Sequence, residues 1–148
     1  NVYDNLYQKA LQANDEAAAK ENFDSAMKYY QQAVEKDPDY VDAIYSIGAL
    51  YYNKAAVMTQ DLNKYADDYS KEGLKKYEEL KKKIFEEFDN ALPFFQKAEA
   101  INPSDLNTLI ALKEIYARKD DLEKSNVFKE RIDRIQAGET IDEAYFDK

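Results

Sequence analysis

Ala26-Met27-Lys28-Tyr29-Tyr30-Gln31-Gln32-Ala33-Val34-Glu35-Lys36-Asp37-Pro38 and Ala91-Leu92-Pro93-Phe94-Phe95-Gln96-Lys97-Ala98-Glu99-Ala100-Ile101-Asn102-Pro103 carry the same spacing. Each has a small residue, an aromatic four positions on, a second small residue three further, and a proline five after that. On a helix these three positions share one face, where the alanines admit a second helix closely and the ring fills the space beside them. The closing proline cannot continue the helix and marks a turn. After the first phrase, Ile44, Ile47, Gly48 and Tyr51 make one helical stripe; after the second, Leu109, Leu112 and Tyr116 make another.

A helix, a turn and a second helix, repeated, resembles the tetratricopeptide repeat, whose period is about 34 residues. The units would span about 7–40, 41–105 and 106–138, with a tail over 139–148, in a single domain. The resemblance implies an all-α fold of antiparallel helix–turn–helix repeats wound into a right-handed superhelix. There are departures: Trp is absent, Asn14 and Ala17 stand where the family prefers Gly and Tyr, and Lys113 replaces the Gly of the third unit. With Ser125 and Lys129 on its second helix, the third unit reads as a terminal cap with a polar outer face.

Pro38 and Pro103 are 65 positions apart; against that period the second unit carries an insertion of about 31 residues. It keeps helical periodicity on both sides, through Tyr51, Ala55, Met58, Leu62, Tyr65 and Tyr69, then Leu74, Tyr77, Leu80, Ile84, Phe88 and Ala91. Two facing seams predict an elongated helical hairpin arm, roughly 20 Å long at ~1.5 Å per residue, turning between Asp67 and Gly73. Asp39, Ser104 and Asp120 are the expected N-caps, the last with Glu123 three residues on. Gly138 should stop the last repeat helix, and Thr140 with Glu143 should cap a short C-terminal helix over Ile141 to Phe146. Pro93 falls inside a helix and should remove a hydrogen bond and bend it.

Composition narrows the function. The 148 residues are 45% hydrophobic and 34% charged, with a net charge of −9, three Gly, three Pro and no Cys or His. Such a chain favours helix, and its acidity disfavours nucleic acid and anionic membranes. No apolar run reaches the ~20 residues of a membrane span. Without His or Cys there is no usual near-neutral base for a nucleophilic triad, no thiolate and no thiolate–imidazole zinc set, and no Gly-rich phosphate loop occurs. The reading is therefore not an enzyme, with no catalytic residues, no metal and no cofactor. Asp68, Ser70, Glu72, Gly73 and Glu79 match calcium-loop spacing, but Lys75 and Lys76 would bring positive charge to the ion. Glu78 and Glu79 precede Lys82 and Lys83 by four residues, which reads Lys81-Lys82-Lys83 as a self-neutralised helix face. The chain starts at Asn1, so cytoplasmic placement and, after loss of a leader, periplasmic or secreted placement both fit.

Thirteen Tyr are the unusual feature. Tyr45 and Tyr52 are one helical period apart, off the Ile44–Ile47–Tyr51 stripe. The resemblance implies that first helices of repeats line a concave groove for a partner segment. That face would carry Asp42, Tyr45, Ala49, Tyr52, Asn53, Asn107, Ile110, Glu114 and Arg118. Tyrosine suits such contacts because it offers apolar area and a polar tip at little entropy cost. Some family members clamp a C-terminal carboxylate with basic residues; Leu11, Asp15, Ser46, Asn107 and Ala111 stand at the matching positions and cannot do so. The expected function is thus a scaffold for another protein or peptide, the alternative being self-association into a homodimer through the arm or tail.

Overall fold

A computed structural model describes residues 2–147; Lys148, the end of the expected tail, lies outside that range. It contains six helices: α1 (Val2–Gln12), α2 (Glu16–Lys36), α3 (Val41–Asn63), α4 (Lys71–Ile101), α5 (Leu106–Arg118) and α6 (Leu122–Gln136). No strand occurs among the described residues. The helices pair as α1–α2, α3–α4 and α5–α6, and these hairpins stack through α2 on α3 and α4 on α5.

The repeat is written most clearly in the turns. Asn14 (φ 53°) and Asp120 (φ 59°) both take left-handed backbone and end α1 and α5. After each, the next amide reaches back five residues, Asp15 to the Ala10 carbonyl and Asp121 to that of Tyr116. Asp15 and Asp121 then cap α2 and α6 by accepting from the Ala18 and Lys124 amides. The two turns between units match as well: Asp37 and Asn102 donate to the Ala33 and Ala98 carbonyls, and Tyr40 and Asp105 close onto Asp37 and Asn102.

Three N-caps differ from expectation by one residue. Tyr40, Asp105 and Asp121 cap α3, α5 and α6 in place of Asp39, Ser104 and Asp120. The reason is conformational: each turn needs one more residue, and Ser104 and Asp120 are used for the tail and for the left-handed turn. The first turn, at 13–15, also comes earlier than a 34-residue register places it, so Asn14 lies in the turn and Ala17 on α2.

Three of the four small positions do the packing assigned to them, while Ala33 is half-buried beside the α2–α3 recess. Ala26, Ala91 and Ala98 have no exposed surface and Phe95 is almost fully enclosed. A Cβ built on Gly48 would lie 3.1 Å from the Phe95 ring, so α3 and α4 meet there closely. One core cluster joins Phe88, Phe95, Leu109, Leu112, Ile115 and Phe128 across α4 to α6; a second joins Tyr7, Ala26, Met27, Ile47 and Leu50 across α1 to α3.

The long hairpin is present. α3 has 23 residues and α4 has 31, against 13 and 15 in α5 and α6. α3 therefore outruns α5 by about 15 Å. α3 ends at Asn63, so Tyr65 and Tyr69 belong to the turn and not to the helical seam, and Tyr69 is exposed. The arm does not stand free on its other side. The α1–α2 turn rises beside it, and Leu11, Asp15 and Ala19 face Val57, Asp61 and Tyr65 across an open cleft of about 770 Å³. α4 runs unbroken through Pro93. The ring is exposed, on the side where the carbonyl left without its amide can be hydrated, and this lowers the cost of a helical proline.

The expected C-terminal helix over Ile141 to Phe146 does not form; residues 139–147 are irregular. α6 stops at Gly138 (φ 91°) with amide bonds from Gly138 to Ile135 and from Glu139 to Arg134, a Schellman closure. Beyond it, the Ile141, Tyr145 and Phe146 amides donate to Ser104 Oγ and the Glu99 carboxylate. A helix of so few residues is marginal alone, and those tertiary acceptors, with burial of Ile141, outweigh it.

The residues of the calcium spacing serve helix initiation instead. α4 begins at Lys71, so Glu72 to Glu79 are helical. Asp68 accepts from the Ser70 amide and Ser70 Oγ from the Gly73 amide. On α4, Glu79 pairs with Lys75 rather than with the expected Lys83, and Glu72 pairs with Lys76.

Candidate partner-binding site

Tyr45 and Tyr52 lie on α3 facing α4 and α5, and both are half-buried. Tyr45 meets Phe95 edge-on at 5.5 Å, and Tyr52 meets Phe88 at 5.5 Å and Phe95 at 6.3 Å. These rings are fixed by T-shaped packing. The Tyr52 hydroxyl donates to the Glu114 carboxylate of α5, and the Arg118 guanidinium lies 5.3 Å over the Phe88 ring. Burial, followed by the hydrogen bond and charge of Glu114, pushes the Tyr52 phenol up to about 12, with Arg118 opposing. Burial and then the Asp105 charge raise that of Tyr45. Both phenols therefore stay neutral near neutral pH, and that of Tyr52 donates.

The fold brings Tyr45, Ala49, Tyr52 and Ile110 against one core cluster. Glu114 and Arg118 join them through Tyr52 and Phe88. Asp42, Asn107 and Arg118 are exposed and Asn53 is half-buried. Asp42 also borders a second recess of about 340 Å³ with Tyr29, Tyr30, Tyr40 and Ser46, so it is shared with the α2–α3 elbow. Ala111 is buried in the core, Leu11 and Asp15 line the cleft beside the arm, and Ser46 donates to the Asp42 carbonyl.

Sequence reasoning missed a polar cluster elsewhere. Glu99 on α4 is fully buried. Its carboxylate accepts from Arg131 at 3.0 Å and from the Tyr145 and Phe146 amides at 2.7 and 3.0 Å. Glu99 belongs to the second of the two matching phrases, and its isolation among Ala98, Ala100 and Ile101 was the available signal.

Among the described residues, no three His, Cys, Asp or Glu side chains gather as a metal site. No helix among them is long and apolar enough to cross a membrane. The stacked hairpins define an all-α helical-repeat protein. Residues 15–54 match the family model described as TPR repeat, a stretch that runs from the α2 cap through the first half of α3. That stretch is similar to a tetratricopeptide repeat. No curated protein matches the chain. Repeats of this kind generally mediate protein–protein interaction.

Proposed function

We propose that this protein is a non-catalytic scaffold that holds a segment of another protein against the face shared by α3 and α5. One observation carries the reading: Tyr45 and Tyr52 are half-buried and locked against Phe95 and Phe88. Rings already held still lose little entropy when a partner covers them. Around them Asp42, Asn53, Asn107 and Arg118 supply a polar rim, able to bond a backbone or, at Arg118, an acidic side chain. The test is a photo-crosslinking amino acid at Asp42 or Asn107, with Gln32 on α2 as the control. A single crosslinked protein from positions 42 and 107, lost in Arg118→Glu and absent at 32, is the expected result. Indistinguishable crosslinking from all three positions refutes it.

Self-association through the arm is the second reading, favoured by Tyr69 at 79% and Leu74 at 51% exposure at its tip. Light scattering separates the two: a concentration-dependent dimer abolished by Tyr69→Ser with Leu74→Ser supports the arm, and a monomer at all concentrations removes it.

A further inference from the structure

The tail from Glu139 to Asp147 is held as a bound peptide is held. Its backbone is irregular, and few of its contacts are internal. Ile141 is buried and exchanges two bonds of 2.7 Å with Ser104 Oγ, donating its amide and accepting at its carbonyl. Tyr145 and Phe146 both pack on Phe128, at 5.2 and 5.8 Å between ring centres. Their amides converge on the Glu99 carboxylate. Arg131 links cleft and tail, donating to Glu99 and to the Glu143 carbonyl while lying over the Tyr145 ring. Arg134 pairs with Glu139 at 2.8 Å.

The cleft between α4 and α6 therefore has three recognition elements. Ser104 reads the amide and carbonyl of one non-helical residue with an aliphatic side chain. Phe128 receives an aromatic pair four and five positions later. Glu99 receives the two amides of that pair, and a carboxylate kept fully out of water demands such donors. Arg134 pairs with the Glu139 carboxylate, which favours an acidic residue at that position, while Arg131 is matched by Glu99 and holds the occupant by a backbone carbonyl. Residues 137–140, which connect this segment to α6, are all exposed.

We infer that this α4–α6 cleft is a peptide-docking site for non-helical partner segments with an acidic residue opposite Arg134, then an aliphatic residue followed by an aromatic pair, and that the protein's own tail occupies it in competition. The site is separate from the α3–α5 face and does not depend on it. A tail on a short connection has an effective concentration of ~1 mM; against an intrinsic Kd of ~10 µM it suppresses binding roughly 100-fold.

The experiment uses a fluorescent peptide reproducing residues 139–147 and the full chain. Tyr145→Ala with Phe146→Ala frees the cleft, and fluorescence anisotropy should show the peptide binding this variant roughly 100-fold more tightly than the native chain. Adding Glu99→Gln should weaken that binding about tenfold, since a neutral acceptor replaces a charged one. A second variant keeps every docked side chain and inserts about twenty Gly/Ser residues after Gly138; the diluted tail should yield to the peptide about tenfold more readily. Equal, weak binding to all these proteins, with helicity intact by circular dichroism, overturns the inference. So does a native dimer lost in the Tyr145→Ala, Phe146→Ala variant, which assigns the cleft to a second copy.

Discussion

Gly48→Ala sets two effects of similar size against each other, and the structure decides the sign. Alanine in a helix interior gains about 0.8–1.0 kcal/mol over glycine, so on propensity alone the variant should be more stable. The new Cβ, however, would stand 3.1, 3.1 and 3.2 Å from three carbons of the Phe95 ring, inside the roughly 3.5–4.0 Å optimum for carbon pairs. Relief requires the ring to move by a few tenths of an ångström. Phe95 is 1% exposed and is braced edge-on by Tyr45 and Tyr52, so its motion would drag two further rings. Overpacking of this kind costs about 1–3 kcal/mol, and the bracing argues for the upper half of that range. The net expectation is destabilisation of about 1 kcal/mol, or roughly 2–4 °C in Tm for a chain of this size. Urea unfolding followed by circular dichroism measures it. Gly73→Ala is the control: its Cβ would strike the Asp68 carboxylate, but that exposed side chain can swing away at the loss of its bond from the Ser70 amide. A propensity gain of about 1 kcal/mol and a lost bond of about 1 kcal/mol then offset, and the change should stay within about 0.5 kcal/mol. A Gly48→Ala protein more stable than the parent would refute the claim that α3 and α4 are in close contact at Phe95.

Asp120 holds a left-handed conformation, so Asp120→Gly should raise stability by up to about 1 kcal/mol. Asp105→Ala should instead lose about 1 kcal/mol with the α5 cap it makes to Thr108; thermal melts rank the two. Tyr7, pushed up to about 12 by burial and then by Glu87, and Tyr52, pushed up to about 12, keep their protons in the folded state while the unfolded chain releases them near 10. Their contribution is intact below about pH 10 and is lost as pH rises from about 10 to about 12, so Tm should fall across that window and fall less steeply in Tyr7→Phe. Hydrogen exchange should be fastest in the arm turn at 64–70, where exposed backbone meets the thinnest packing; protection there equal to that of α5 would contradict the arm.

The sequence alone determined the helices and their pairing. Small–aromatic–small spacing at Ala26, Tyr30 and Ala33 and again at Ala91, Phe95 and Ala98 is a local pattern, and local pattern suffices where every hydrogen bond is made within a few residues. The surplus between Pro38 and Pro103 declared the long hairpin for the same reason. Asp120 is the expected cap and Asp121 the actual one, because backbone conformation, not residue type, put Asp120 in the left-handed turn. The candidate groove was legible as a set of positions on α3 and α5. That Tyr45 and Tyr52 also brace Phe95 and Phe88 was not legible, since those contacts join residues more than thirty-five positions apart. The tail was where local reading failed. Thr140 and Glu143 do spell a capping box, but a short helix contributes little by itself. A buried carboxylate on α4 and an aromatic ring on α6, contributed by residues remote in sequence and brought together only by folding, outweighed the local hydrogen bonds and drew the chain out across them.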